Sequence, residues 1–85
     1  MKQFNYVITD PLGIHARPAG MLAKLAKEYE SKILIMKGEK TVAATQLLML
    51  MGLAVKHGDE ITVFVEGTDE DIAFDGIQAF FKENL

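Results

Sequence analysis

The spacing of apolar positions changes along this chain from two to about 3.6 and back, and each change marks an element. Phe4, Tyr6 and Ile8 share one side at period two, which predicts a first strand closed by the turn-forming run Asp10-Pro11-Leu12-Gly13. From Arg17 to about Tyr29, apolar residues recur at Ala19, Leu22, Ala23, Ala26 and Tyr29, with Lys24, Lys27 and Glu28 opposite, as in an amphipathic helix. Lys32 to Lys37 is rich in apolar and β-branched residues, Lys37-Gly38-Glu39-Lys40 supplies a turn, and Lys40 to Ala44 returns as a short strand. Lys56-His57-Gly58-Asp59 interrupts the pattern before Glu60 to Glu66, where Ile61, Val63 and Val65 alternate with Thr62 and Phe64. Thr68-Asp69-Glu70-Asp71 places a capping hydroxyl or carboxylate, and further acids, at the start of a final helix reaching about Asn84. Its buried face is predicted to hold Ala73, Ile77, Phe80 and Phe81, with Gly76 a weak point on intrinsic propensity.

The predicted order is β-α-β-β-α-β-α. Hairpins favour antiparallel pairing, so the expected fold class is α+β: a four-stranded, largely antiparallel sheet with helices on one face. Eighty-five residues suit a single domain, 1–85, with one modest core and no deep enclosed site.

Leu47-Leu48-Met49-Leu50-Met51 breaks the amphipathic rule, because a helix spreads consecutive residues around its whole circumference. Either the run is a strand or a buried helix, or one face of a short helix shows leucine and methionine to water as a docking patch. We take the second reading, with Leu50 and Leu53 inward and Leu47, Leu48 and Met51 outward. Methionine is flexible and polarisable, which suits recognition of differently shaped partners.

Composition narrows the chemistry. With no cysteine, disulfides, thiolate nucleophiles and cysteine-based zinc sites are excluded, and a reducing cytoplasm is the expected compartment. There is no signal-peptide pattern and no apolar run of about 18 residues, so neither secretion nor membrane insertion is expected. A formal net charge of −3 argues against bulk attraction to nucleic acid. Nothing in the spacing of His15 and His57 resembles a metal site, and no cofactor motif is present.

What remains is Gly13-Ile14-His15-Ala16-Arg17-Pro18, which contains the only arginine in the chain and one of its 2 histidines. Proline suits the first turn of a helix, so His15 and Arg17 fall at a loop-to-helix junction. The free N–H groups of Ala16, Arg17 and their turn, together with the arginine fork, make a place for an anion. Imidazole is a competent nucleophile, and neither a second catalytic acid nor a phosphate loop lies beside it, so the residues point to a phosphoryl carrier that relies on partners for catalysis.

These residues resemble a known family. Gly13-Ile14-His15-Ala16-Arg17-Pro18-Ala19, the Gly38 turn with Lys40, the Leu47, Leu48 and Met51 patch, Gly58 and the order of elements are similar to HPr, the histidine-containing phosphocarrier of the bacterial phosphoenolpyruvate-dependent sugar phosphotransferase system. The resemblance implies an open-faced β-sandwich of four antiparallel strands covered by three helices. It implies that His15 takes a phosphoryl group on Nδ1 from enzyme I and passes it to IIA domains of sugar permeases, so that the protein is a carrier and not an enzyme. Arg17 would steady the phosphate, and Leu47, Leu48 and Met51, fringed by Gly20, Lys24 and Lys27, would dock both partners. A monomer is expected. Gram-positive members carry a regulatory serine where this chain has Gln46; Thr45 is expected to cap the short helix instead of replacing it. Two other readings compete: a paralogue in a regulatory, nitrogen-related branch, and an interaction module whose histidine is idle.

Overall fold

The computed structural model describes residues 1–85. Its elements are β1 (Lys2–Val7), α1 (Ala16–Ala26), β2 (Lys32–Lys37), β3 (Lys40–Ala43), α2 (Leu47–Gly52), β4 (Glu60–Glu66) and α3 (Glu70–Asn84). The expected order holds. The sheet runs β1-β4-β2-β3, with every neighbouring pair antiparallel. An open sheet covered by three helices is the fold the resemblance implied.

Register follows from side-chain parity. Phe4 pairs with Val63, Val63 with Ile35 and Ile35 with Val42, so one row of apolar side chains crosses all four strands on the helix-covered face. A one-residue slip would turn that row to solvent. The next residues, Gln3, Phe64, Leu34 and Ala43, form the matching row on the open face. Against the covered face sit Ala19, Leu22, Ala23 and Ala26 of α1, Leu50 of α2, and Ala73, Ile77, Phe80 and Phe81 of α3. Phe81 ties sheet to helix: its ring lies edge-on to Phe4 at 5.8 Å and to Tyr6 at 5.6 Å. Such pairs add about 0.5–1.5 kcal/mol each beyond burial.

Three local expectations are corrected. α1 ends at Ala26, not near Tyr29, because the Lys27 and Glu28 N–H groups close the last turn on Ala23 and Leu25 and the chain then leaves for β2. Tyr29, half-buried, lays its hydroxyl over Gly76 of α3, where a Cβ would collide with it. That packing explains the glycine inside α3. Thr45 does not cap α2; Gln46 is the N-cap, and it makes no side-chain capping bond. At α3 the N-cap is Asp69, but its carboxylate reaches across to Glu30 and Ser31 and leaves its own first turn uncapped.

Candidate functional site

His15 is the N-cap of α1, in extended conformation (φ −101°, ψ −176°), and its imidazole caps nothing. Of the two N–H groups an N-cap side chain can accept from, those of the second and third helical residues, Pro18 has removed the third and that of Arg17 is left free. The ring is left at a mouth lined by Asp10, Arg17, Pro18, Met21 and Asn84, with 36% of its side chain exposed. The helix therefore starts one residue earlier than expected, with Arg17 inside its first turn.

No acid occupies that turn. The N–H groups of Ala16 and Arg17 have no partner within the chain, and both residues are exposed. Arg17 forms no salt bridge. A positive helix end, two free donors and an unpaired guanidinium beside an open imidazole form a place where an anion attached to that ring would be stabilised.

Distant parts of the chain hold the loop in place. Gly13 adopts φ +70° and lies so close to the Val55 carbonyl that a Cβ would overlap it, while the Ile14 N–H donates to that same oxygen at 3.1 Å. Val55 follows α2 and is anchored in turn. Lys37 donates to the Ala54 carbonyl at 2.8 Å and pairs with Asp59 at 2.9 Å, and Ala54 itself takes the left-handed φ of 54°. The Lys56 N–H and then Lys37 hold the Asp59 carboxyl below its ordinary value. On the other side, the N–H groups of Thr9 and Asp10 and the Thr9 hydroxyl all donate to the Leu85 carbonyl.

α2 presents the expected patch. Leu50 and Leu53 are buried, whereas Leu48 is 81% exposed and Leu47, Met49 and Met51 are also exposed. Met49 belongs to the patch although sequence reading singled out only Leu47, Leu48 and Met51. Lys24 on α1 and Lys27 just after it are exposed, and a Cβ at Gly20 would meet nothing within 4 Å, so the fold itself does not demand that glycine. His57 lies in an exposed turn and does not line the mouth at His15.

Three residues at the mouth were missed. Met21 stands one helical turn after Arg17, a spacing that could have revealed it; Asp10 was read only as a turn former; Asn84 arrives from the end of α3 and left no local signal. No cluster of three or more histidines, cysteines or acids could hold a metal ion, and no helix is long and apolar enough to cross a membrane.

Comparison with known proteins bears on the family and the fold. Residues 2–83 match the family described as the PTS HPr component phosphorylation site. A phosphocarrier protein HPr of Lysinibacillus sphaericus is 42% identical over 83 residues, covering 98% of this chain and 94% of the relative. Among solved structures, a mycoplasma histidine-containing phosphocarrier protein superposes with a TM-score of 0.93 at 38% identity, covering 96% of this chain and 93% of the other. The catabolite repression protein Crh of Bacillus subtilis, solved as a swapped dimer, gives 0.78 at 32% identity and covers 100% and 98%.

Proposed function

This chain belongs to the HPr family of phosphocarriers of the phosphotransferase system, which are not themselves catalysts, and from that premise we propose that His15 carries the phosphoryl group, taking it from phosphorylated enzyme I and passing it to IIA domains of sugar permeases. The observation that carries the reading is the uncapped start of α1, where the free N–H groups of Ala16 and Arg17 stand beside an open imidazole. The phosphoryl group on an imidazole bears about two negative charges, and these donors with the Arg17 guanidinium share them without burying the adduct. The transferable bond stays accessible.

Leu47, Leu48, Met49 and Met51, with Gly20, Lys24 and Lys27 alongside, serve as the docking face for both donor and acceptor. One nitrogen must meet each partner in turn, so the two complexes are transient and mutually exclusive. The whole of residues 1–85 acts as one cytoplasmic domain, and as a monomer, since a covered patch could not dock; a swapped dimer like that of Crh would show as a doubled mass in solution. The same likeness is the one observation favouring a regulatory role. Gln46 speaks against the serine-dependent form of it, because an amide cannot take a phosphate.

Incubation with enzyme I, magnesium and phosphoenolpyruvate, followed by intact mass measurement, tests the reading. The expected result is one acid-labile phosphate on the native protein and none on His15→Ala. A folded native protein that gains no mass would overturn it and leave the interaction module as the working reading.

A further inference from the structure

Asp10 stands beside His15 in a way that its turn does not require. The turn needs one side-chain acceptor: Oδ1 of Asp10 takes the Leu12 N–H at 2.8 Å, a role asparagine fills as well and serine more weakly. Here the acceptor is a carboxylate, and its Oδ1 lies 3.7 Å from Nε2 of His15. That distance is too long for a direct hydrogen bond, but it suits a charge pair or a single bridging water. The Asp10 backbone is fixed by its N–H on the Leu85 carbonyl at 2.9 Å, so the carboxylate is held on the Nε2 side of the ring.

We propose that Asp10 is a positioning residue for phosphoryl transfer: its carboxylate keeps the imidazole proton on Nε2 and so presents Nδ1 as the nucleophile. This rests on His15 being the phosphoryl acceptor. A neutral imidazole has one N–H and one lone pair, and the group facing one nitrogen sets the role of the other. In uptake, the Nδ1 lone pair forms the N–P bond as the bond from phosphorus to the donor breaks and its electron pair leaves with the donor. The ring keeps its Nε2 proton and becomes cationic, and Asp10 offsets that charge from the side away from Nδ1. In delivery the N–P bond breaks, its pair returns to Nδ1, and the ring is neutral with the same proton in place. No proton enters or leaves, so an open site without a general acid or base suffices. Among the residues lining this mouth, Arg17 is the only other charged group, and Asn84 is neutral.

Long-range ¹H–¹⁵N correlation spectra of the labelled protein read the His15 tautomer directly, with no partner present. Asp10→Asn keeps the oxygen that the Leu12 N–H needs and removes the charge; Asp10→Ser keeps the turn and withdraws the polar atom from the ring. In the native protein the Nε2–H form is expected to dominate. Both variants should shift population toward Nδ1–H, serine more than asparagine, and slow uptake from enzyme I about two- to fivefold with an unchanged unfolding midpoint. Unchanged tautomer populations, with native uptake intact, would overturn the role of Asp10 and spare the carrier reading. A tautomer that shifts on substitution while the native protein takes up no phosphate would overturn the carrier reading, and with it the part of Asp10 in phosphoryl transfer.

Discussion

α1 and α3 both begin at an N-cap whose side chain ignores its own first turn, yet their two ends are built for opposite purposes. At α3, acids fill the turn. Asp69 accepts from the Glu30 N–H at 2.9 Å, the Ser31 N–H at 2.8 Å and the Ser31 hydroxyl at 2.5 Å; Glu70 accepts from the Gly67 N–H at 3.2 Å, and Thr68 donates to Glu30 at 2.9 Å. Negative charge meets the positive helix end from within the chain, and the same groups clasp the α1–β2 connection. In the first turn of α1 there is no acid, and proline has removed one of the two donors an N-cap side chain could satisfy. A helix end completed by its own chain is structural; one left incomplete, beside a nucleophile, keeps its field for something brought from outside.

Substitutions that break this contrast should separate stability from transfer. Gly13→Ala is expected to have the largest effect, about 3–4 kcal/mol by denaturant unfolding, since it forces a left-handed side-chain residue into the Val55 backbone. Arg17→Ala should cut the rate of phosphoryl uptake about tenfold to a hundredfold in quenched-flow assays while the unfolding midpoint stays put. Asp69→Asn should do the reverse. The Ser31 hydroxyl, and then the Glu30 N–H, hold the Asp69 carboxyl below its ordinary value of 3.8. A folded-state value below the unfolded one means that its stabilisation is present above about pH 4 and is lost as pH falls through the folded value. The variant should therefore unfold earlier at neutral pH and show a flatter loss of stability in acid, with uptake unaffected. Smallest is the transplant of one design onto the other: Ala16→Asp should stabilise α1 by about 0.3–1 kcal/mol in thermal unfolding and lower phosphoryl uptake.

The two ends were not equally legible in the sequence. His15, Arg17 and Pro18 lie within four residues, so the α1 site announced itself locally, as did the strands whose parity Ile61, Val63 and Val65 display. At α3, Thr68 and Asp69 looked like caps because propensity sees only the next turn; the competitor for Asp69 was Ser31, a partner 38 residues away. The same limit explains why Tyr29 seemed to continue α1 when it packs on Gly76, and why Asp10 passed as a turn former. Strand order was hidden for a related reason, since β1 pairs with β4, near the other end of the sequence. Leu50 and Leu53 were placed correctly inside because the need to bury one side of α2 is a local constraint.

The anchoring of the His15 loop also has a consequence for how the protein comes into being. Val55 holds Ile14, and Leu85 holds Thr9 across 76 positions of chain. The frame that aims the histidine is therefore absent until contacts between residues far apart in the chain have closed, and such closure is the slow part of folding. The setting of the imidazole is thus completed by long-range contacts, and a copy in which they have not formed displays the side chain without it.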